Sequence, residues 1–111
     1  MEVTQSHRGP VRVLSLTGAF IGDECDALDS HVQECIDSDF IKIVIDIEQV
    51  PFIDSDGLDK ILDVVLDLSK RGGDARVASP NDICNDILTV TRIDGLIQIF
   101  DNVEEAIESL L

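Results

Sequence analysis

A single serine lies between two aspartates, at a point where the residue types allow chemistry. Ser55 follows Asp54, precedes Asp56, and is separated from Gly57 by one residue. A serine hydroxyl can accept a phosphoryl group, which would add about −1.5 to −2 charge at pH 7. Asp54 or Ser55 can also cap the first N–H groups of a helix, and Gly57 allows close backbone approach in its first turn. We therefore expect a modifiable hydroxyl at a helix N-terminus.

Two secondary-structure elements should hold this serine in place. Upstream, residues 41–47 carry isoleucine at every second position with Val44 on the other face, which is typical of a strand in the middle of a sheet. Downstream, apolar residues at helical spacing predict a helix with one buried face. This face is formed by Leu58, Ile61, Leu62, Val65 and Leu68. Ser55 is thus expected between a buried strand and an amphipathic helix.

The same helix carries an acidic stripe, formed by Asp56, Asp59, Asp63 and Asp67. One interpretation is a solvated face supported by helical ion pairs, namely Asp56 with Lys60 and Asp67 with Arg71. The other interpretation is a partner surface that extends along the helix. The spacing of the charges favours the first interpretation and leaves the second open.

The remaining elements alternate between strands and helices. Strands are predicted over residues 3–7, 11–16, 75–78 and 97–100, with the first two joined by Gly9-Pro10 as a hairpin. Helices are predicted after three candidate caps, Asp23, Ser79 and Asp101, and the helix after Ser55 should end at Arg71-Gly72-Gly73. This order predicts an α/β domain with a mostly parallel sheet. The loop from Ile47 to Asp54 then lies at the carboxyl ends of the strands, so Ser55 should be on an exposed rim.

Composition limits the classes of function. The chain of 111 residues is predicted to be one domain, residues 1–111. Its 8 Lys and Arg against 23 Asp and Glu give a net charge of −15, which opposes binding to nucleic acid or to an anionic membrane surface. No apolar run approaches the roughly 18 residues of a membrane span. Because Met1 to Gly9 also lacks a hydrophobic signal core, we expect a cytoplasmic protein.

No catalytic, metal or cofactor site is predicted. Cys25, Cys35 and Cys84 lack CxxC spacing, so they indicate buried thiols rather than a disulfide framework or a zinc site. His7 and His31 have no ligand spacing. There is no Ser/His/Asp arrangement and no glycine-rich phosphate loop. We therefore expect a protein that is not an enzyme.

The segment around Ser55 resembles the core signature of STAS domains, the family of bacterial anti-sigma factor antagonists. In that signature a strand and a short apolar turn lead into Asp-Ser-(Ser/Thr/Ala)-Gly-Leu, matched here by Phe52-Ile53-Asp54-Ser55 and Gly57-Leu58. The resemblance extends to Leu14-Ser15-Leu16-Thr17-Gly18, to Val90–Leu96 followed by Phe100, and to Val103–Ala106. It implies the STAS fold, a mixed, mostly parallel sheet packed against about four helices and begun by a β-hairpin.

The resemblance also implies a function. Such a protein binds an anti-sigma factor of the serine kinase type and releases a sigma factor. Phosphorylation of Ser55 by the kinase would end the binding, and a PP2C-type phosphatase would restore it. The implied partner-binding residues are Asp54, Ser55, Asp56, Gly57 and Leu58. Asp56 departs from the small residue of the family, so its carboxylate could oppose the phosphate or partly imitate it.

Two alternatives keep part of this interpretation. The first is a STAS scaffold without a switch, or the small cytoplasmic subunit of a lipid transporter. The second is a phosphoaspartate receiver domain with Asp46 as the acceptor, because Asp46 to Gly57 loosely matches the receiver pattern. A receiver also needs an acidic pair after its first strand to hold Mg²⁺ and a lysine after a late strand. The segments 16–18 and 100–102 supply neither.

Overall fold

Alternating apolar residues build a sheet of five strands, which helices connect. The computed structural model describes all residues, 1–111. The strands are β1 Glu2–Arg8, β2 Val11–Thr17, β3 Lys42–Gln49, β4 Asp74–Ala78 and β5 Gln98–Phe100. The helices are α1 Asp26–Asp37, α2 Ser55–Lys70, α3 Asp82–Val90 and α4 Val103–Leu110. Short 3₁₀ turns at Gly22–Cys25 and Ile93–Gly95 precede α1 and follow α3.

The strands lie in the order β1-β2-β3-β4-β5. β1 is antiparallel to β2, with Arg8 opposite Val11, whereas β2 to β5 are mutually parallel. The predicted mostly parallel sheet with an N-terminal hairpin is therefore confirmed. This order differs from the 2-1-3-4-5 order of flavodoxin-like folds, to which receiver domains belong. The receiver alternative is therefore wrong about the fold.

The central strand β3 is buried on both faces. Ile43, Ile45 and Ile47 belong to the larger core, to which α1, α2 and α3 contribute side chains. Val44 belongs to a smaller core on the other face, which α4 covers with Ala106, Ile107 and Leu110. A parallel strand enclosed in this way needs apolar residues on both faces, which explains the nearly continuous apolar sequence of β3.

The cap of α3 lies two residues after its predicted position. Asn81, not Ser79, caps α3, since its side chain accepts a hydrogen bond from the Cys84 N–H at 2.8 Å. Ser79 has a left-handed φ of 60°, and its N–H donates to the Phe100 carbonyl. Ser79 therefore belongs to the turn between β4 and α3. The side chain of Ile83, the second residue of α3, is exposed.

The starts of the other two helices also differ from prediction. Asn102, not Asp101, caps α4 by accepting from the Glu105 N–H at 2.8 Å. The predicted cap Asp23 lies inside a 3₁₀ turn, and α1 starts after it without any side-chain cap. Neighbouring polar residues compete for the same role, so local sequence does not select the cap.

The end of α2 matches the prediction. Gly72 has a left-handed φ of 81°. Its N–H donates to the Ser69 carbonyl, and the Gly73 N–H donates to the Leu68 carbonyl at 2.8 Å. These two bonds satisfy carbonyls that the helix leaves free, and they turn the chain into β4.

None of the helices combines the length and the apolar character that a membrane crossing requires.

Candidate functional site

Ser55 is the first residue of α2 and is exposed to solvent. It follows the segment that leaves β3, so it lies at the carboxyl ends of the parallel strands, as predicted. Asp54, rather than Ser55, is the N-cap of α2. The Ser55 hydroxyl is therefore not engaged in capping the helix.

Asp54 holds two segments of the chain together. One carboxylate oxygen accepts a hydrogen bond from the Gly57 N–H at 2.9 Å, which is the cap of α2. The other accepts from the Gly22 N–H at 3.0 Å, across 32 residues of sequence. The partner-binding role implied for Asp54 is thus accompanied by a structural one. The contact with Gly22 has no sequence signal, because nothing in the local pattern links residues so far apart.

Backbone hydrogen bonds reinforce the same junction. The Phe20 N–H donates to the Phe52 carbonyl at 3.1 Å, and the Asp54 N–H donates to the Phe20 carbonyl at 3.3 Å. Phe20 and Ile53 form a parallel bridge, and the Phe20 side chain is fully buried. The segment before Ser55 is therefore held on one side by a short continuation of the sheet.

On its other side, the segment is held by α3. The Asn81 side chain donates to the Val50 carbonyl at 3.1 Å, and the Cys84 thiol donates to the same carbonyl at 3.3 Å. The N-terminal ends of α2 and α3 consequently lie at the same level of the domain. These contacts keep the backbone that carries Ser55 in one position.

Gly57 and Leu58 pack in the interior beneath Ser55, in the first turn of α2. Both are buried, and Leu58 is 8% exposed. A Cβ atom on Gly57 would overlap the Phe20 carbonyl oxygen and lie 2.7 Å from Ile53 Cγ2. The predicted close backbone approach is confirmed. Gly57 and Leu58 face the interior and leave Asp54, Ser55 and Asp56 to form the surface. The implied partner-binding role of these five residues stays a prediction.

The charges beside Ser55 are mostly negative. Asp56 is exposed, and the predicted Asp56–Lys60 pair is wrong, because Lys60 turns towards α1. There its ammonium group lies 2.6 Å from Asp29 and 3.5 Å from Asp26. The hydrogen bond to Asp29 raises the pKa of Lys60. The predicted Asp67–Arg71 pair is confirmed at 3.3 Å.

Cys25 is buried beneath this acidic surface. Burial raises the pKa of its thiol to about 11, and the nearby Asp54 and Asp56 carboxylates add to the shift. The thiol therefore stays protonated and weakly reactive at neutral pH. No group of three or more metal-ligating side chains is arranged to hold a metal ion. Chemically, the site offers one accessible hydroxyl on a rigid backbone.

Comparison with known proteins identifies the family. The sequence model of the STAS domain matches residues 2–106. A candidate anti-sigma factor antagonist of Thermotoga neapolitana is 30% identical over 77 residues, which are 69% of this chain and 68% of the relative.

Solved structures show the same fold. The crystal structure of a candidate anti-sigma factor antagonist of Thermotoga maritima has a TM-score of 0.89 at 24% identity, covering 97% of this chain and 93% of its own. The phosphorylated form of the Bacillus cell fate determinant SpoIIAA has a TM-score of 0.73 at 17% identity, covering 99% and 100%. The chain belongs to the STAS domain family.

Proposed function

We propose that the protein is a cytoplasmic anti-sigma factor antagonist whose binding is switched by phosphorylation of Ser55. In this role it binds an anti-sigma factor of the serine kinase type and releases a sigma factor. The kinase phosphorylates Ser55 and ends the binding, and a PP2C-type phosphatase restores it. Membership of the STAS family and the names of its relatives support the antagonist role.

The observation that carries the proposal is the position of Ser55. Its side chain is exposed at the first residue of α2, and Asp54 already caps the helix. A kinase can therefore reach the hydroxyl without unfolding the helix start. Neither the cap nor the backbone bonds to Phe20 use the hydroxyl, so the fold can tolerate its modification.

The magnitudes favour a loss of binding after phosphorylation. A helix N-terminus stabilises a nearby anion by about 0.3–1 kcal/mol at an exposed site. Two unit charges about 4 Å apart repel each other by about 4 kcal/mol near a protein surface, and Asp54 and Asp56 both adjoin Ser55. A partner surface that fits a small neutral hydroxyl would also have to desolvate a phosphate dianion in order to bind the phosphorylated protein. SpoIIAA, which shares this fold, has been solved in unphosphorylated and phosphorylated forms.

Binding measurements on Ser55 variants test the proposal. The serine-kinase anti-sigma factors of the source organism are purified and titrated in turn with wild type, Ser55→Ala and Ser55→Asp. We expect one of them to bind wild type and Ser55→Ala equally, and Ser55→Asp at least about tenfold more weakly, a difference of about 1.4 kcal/mol. Ser30→Asp is the matched control, because Ser30 is exposed on α1 and receives the same charge.

Equal affinities of wild type and Ser55→Asp would overturn the switch. A second test is mass spectrometry of the kinase-treated protein, in which phosphate should appear on wild type and be absent from Ser55→Ala. If no kinase modifies Ser55 and transporter subunits co-purify stably, the non-switching scaffold is favoured instead.

A further inference from the structure

Apolar side chains line the facing sides of α2 and α3, two helices that begin at the level of Ser55. α2 contributes Leu62, Val65 and Leu66, and α3 contributes Ile83, Ile87 and Val90. We call this surface the α2–α3 groove. Leu62, Val65 and Ile87 are partly buried against the core and form its floor. Leu66, Ile83 and Val90 are 58%, 58% and 80% exposed, so three of the six large exposed apolar side chains border one surface.

Helix geometry places these residues on facing sides. α2 and α3 both follow parallel strands and lead to the neighbouring strand, so they run side by side in the same direction. On α3, Ile83, Ile87 and Val90 are spaced i, i+4 and i+7 and share one side. The opposite side, with Asn85 and Thr89, lies beside the β5 edge.

On α2, the side of Lys60 faces α1, as its contact with Asp29 shows. The other side, with Leu62 and Val65, therefore faces α3. The hydrogen bonds from Asn81 to the segment before α2 bring the starts of both helices to one level. The upper end of the groove thus opens beside Ser55.

Acidic side chains border the groove on both helices. Asp59 and Asp63 are exposed on α2, and Asp82 and Asp86 are exposed on α3. No Lys or Arg occurs in α3, and Lys60 is engaged with α1. The basic residues Lys70, Arg71 and Arg92 lie only where the two helices end, away from Ser55. An apolar floor between two acidic rows is complementary to a segment that carries apolar side chains flanked by basic ones.

We propose that the α2–α3 groove binds a basic amphipathic segment of the anti-sigma factor. This inference rests on the proposed function and gives the partner a second contact area beside the rim. Phe52, three residues before Ser55, is a further exposed apolar side chain in the segment that leads into α2. A partner segment that binds along the groove lies close to Ser55. A phosphoryl group on Ser55 would therefore clash with the bound partner.

Serine substitutions at the most exposed positions test the groove. Leu66→Ser, Val90→Ser and the double variant are titrated with the same purified anti-sigma factor. Leu96→Ser and Leu111→Ser are matched controls, because these side chains are 69% and 71% exposed outside the groove. We expect the double variant to lose about tenfold or more in affinity, as for central interface residues, and the controls to bind like wild type.

A charge variant tests the acidic border. Asp86→Lys should bind more weakly than wild type, and its affinity should depend less on salt, because one attractive charge has been reversed. Thermal melting of every variant verifies folding, which these exposed substitutions should preserve.

The outcomes separate the groove from the switch. If the groove variants bind like wild type while Ser55→Asp binds weakly, the groove proposal is wrong and the proposed function stands. If the groove variants bind weakly while Ser55→Asp binds like wild type, the groove contact stands without the switch. Sedimentation provides a further outcome. If the wild type self-associates, the groove variants do not, and all bind the anti-sigma factor equally, a second copy of the chain occupies the groove and the proposal is overturned.

Discussion

Asp54 connects Ser55 to the rest of the domain. It precedes Ser55, caps α2 through the Gly57 N–H and fixes the Gly22 turn with its second oxygen. A carboxylate suits this position because it accepts two backbone hydrogen bonds in different directions. Its role in the unmodified protein is therefore to position the serine, in addition to the charge it contributes at the rim.

Replacement of Asp54 should cost stability. Asp54→Ala removes a helix cap, which is worth typically about 1 kcal/mol and up to about 2, as well as the bond to Gly22. We expect the free energy of unfolding in urea to fall by about 1–2 kcal/mol. Asp54→Asn should cost less, because asparagine also caps helices. Asp59→Ala is the control on the exposed face of α2. Equal stabilities of Asp54→Ala and Asp59→Ala would contradict the anchoring role.

At the scale of elements, the start of α2 packs closely on the Phe20 segment. A methyl group at Gly57 would overlap the Phe20 carbonyl oxygen and lie 2.8 Å from the Phe20 ring. Because the obstructing atoms belong to the backbone and to a fully buried ring, they cannot move aside cheaply. Gly57 thus determines how closely the helix approaches the loop that Asp54 binds.

Gly57→Ala should therefore destabilise the domain. Alanine is favoured over glycine in a helix by about 1 kcal/mol, so a stabilised variant would contradict the packing argument. We expect instead a net loss of about 1–3 kcal/mol, the usual cost of overpacking, measured by thermal or urea unfolding. Gly95→Ala is the matched control, since a Cβ atom there meets nothing within 4 Å.

At the scale of the whole molecule, the basic residues are segregated from Ser55. Lys60 is the one basic residue of the eight that lies towards the Ser55 end, and it is paired with Asp29. The other seven lie near the opposite end, where the parallel strands begin and α2 and α3 finish: Arg8, Arg12, Lys42, Lys70, Arg71, Arg76 and Arg92. The Ser55 end is consequently the more negative one, and it orients the molecule towards a basic partner.

Buried thiols should make the whole domain sensitive to alkaline pH. The Cys25 thiol has an ordinary pKa of 9.0, which burial raises to about 11 in the folded protein, and burial also raises the pKa of Cys35 and Cys84. Between these pH values the unfolded chain releases protons that the folded chain keeps. The free energy of unfolding should therefore fall as pH rises from 9.0 to about 11.

Urea unfolding across this pH window, in a reducing buffer, tests the effect. Cys25→Ala should show a shallower fall than wild type, because one of the three thiols no longer titrates. The raised pKa of Lys60 adds a further fall in stability only above its ordinary value of 10.5, so the fall between pH 9.0 and 10.5 reports the thiols. An identical pH slope in Cys25→Ala and wild type would contradict the assignment.

Features that depend on residues a few positions apart follow from the sequence pattern. Isoleucine at every second position predicted β3, helical spacing predicted α2, and Gly72-Gly73 predicted its end. Local patterns cannot choose between nearby polar residues, so they predict caps at Ser79 and Asp101 where the structure has Asn81 and Asn102.

The residues that surround Ser55 from distant parts of the sequence are set by how the elements pack in three dimensions. The Asp54–Gly22 bond spans 32 residues and the Lys60–Asp29 pair spans 31, and no local periodicity encodes either contact. The burial of Gly57 and Leu58 and the facing apolar sides of α2 and α3 likewise depend on how the helices pack on the sheet. Helix and strand patterns specify which side of an element is apolar, whereas packing specifies what that side contacts.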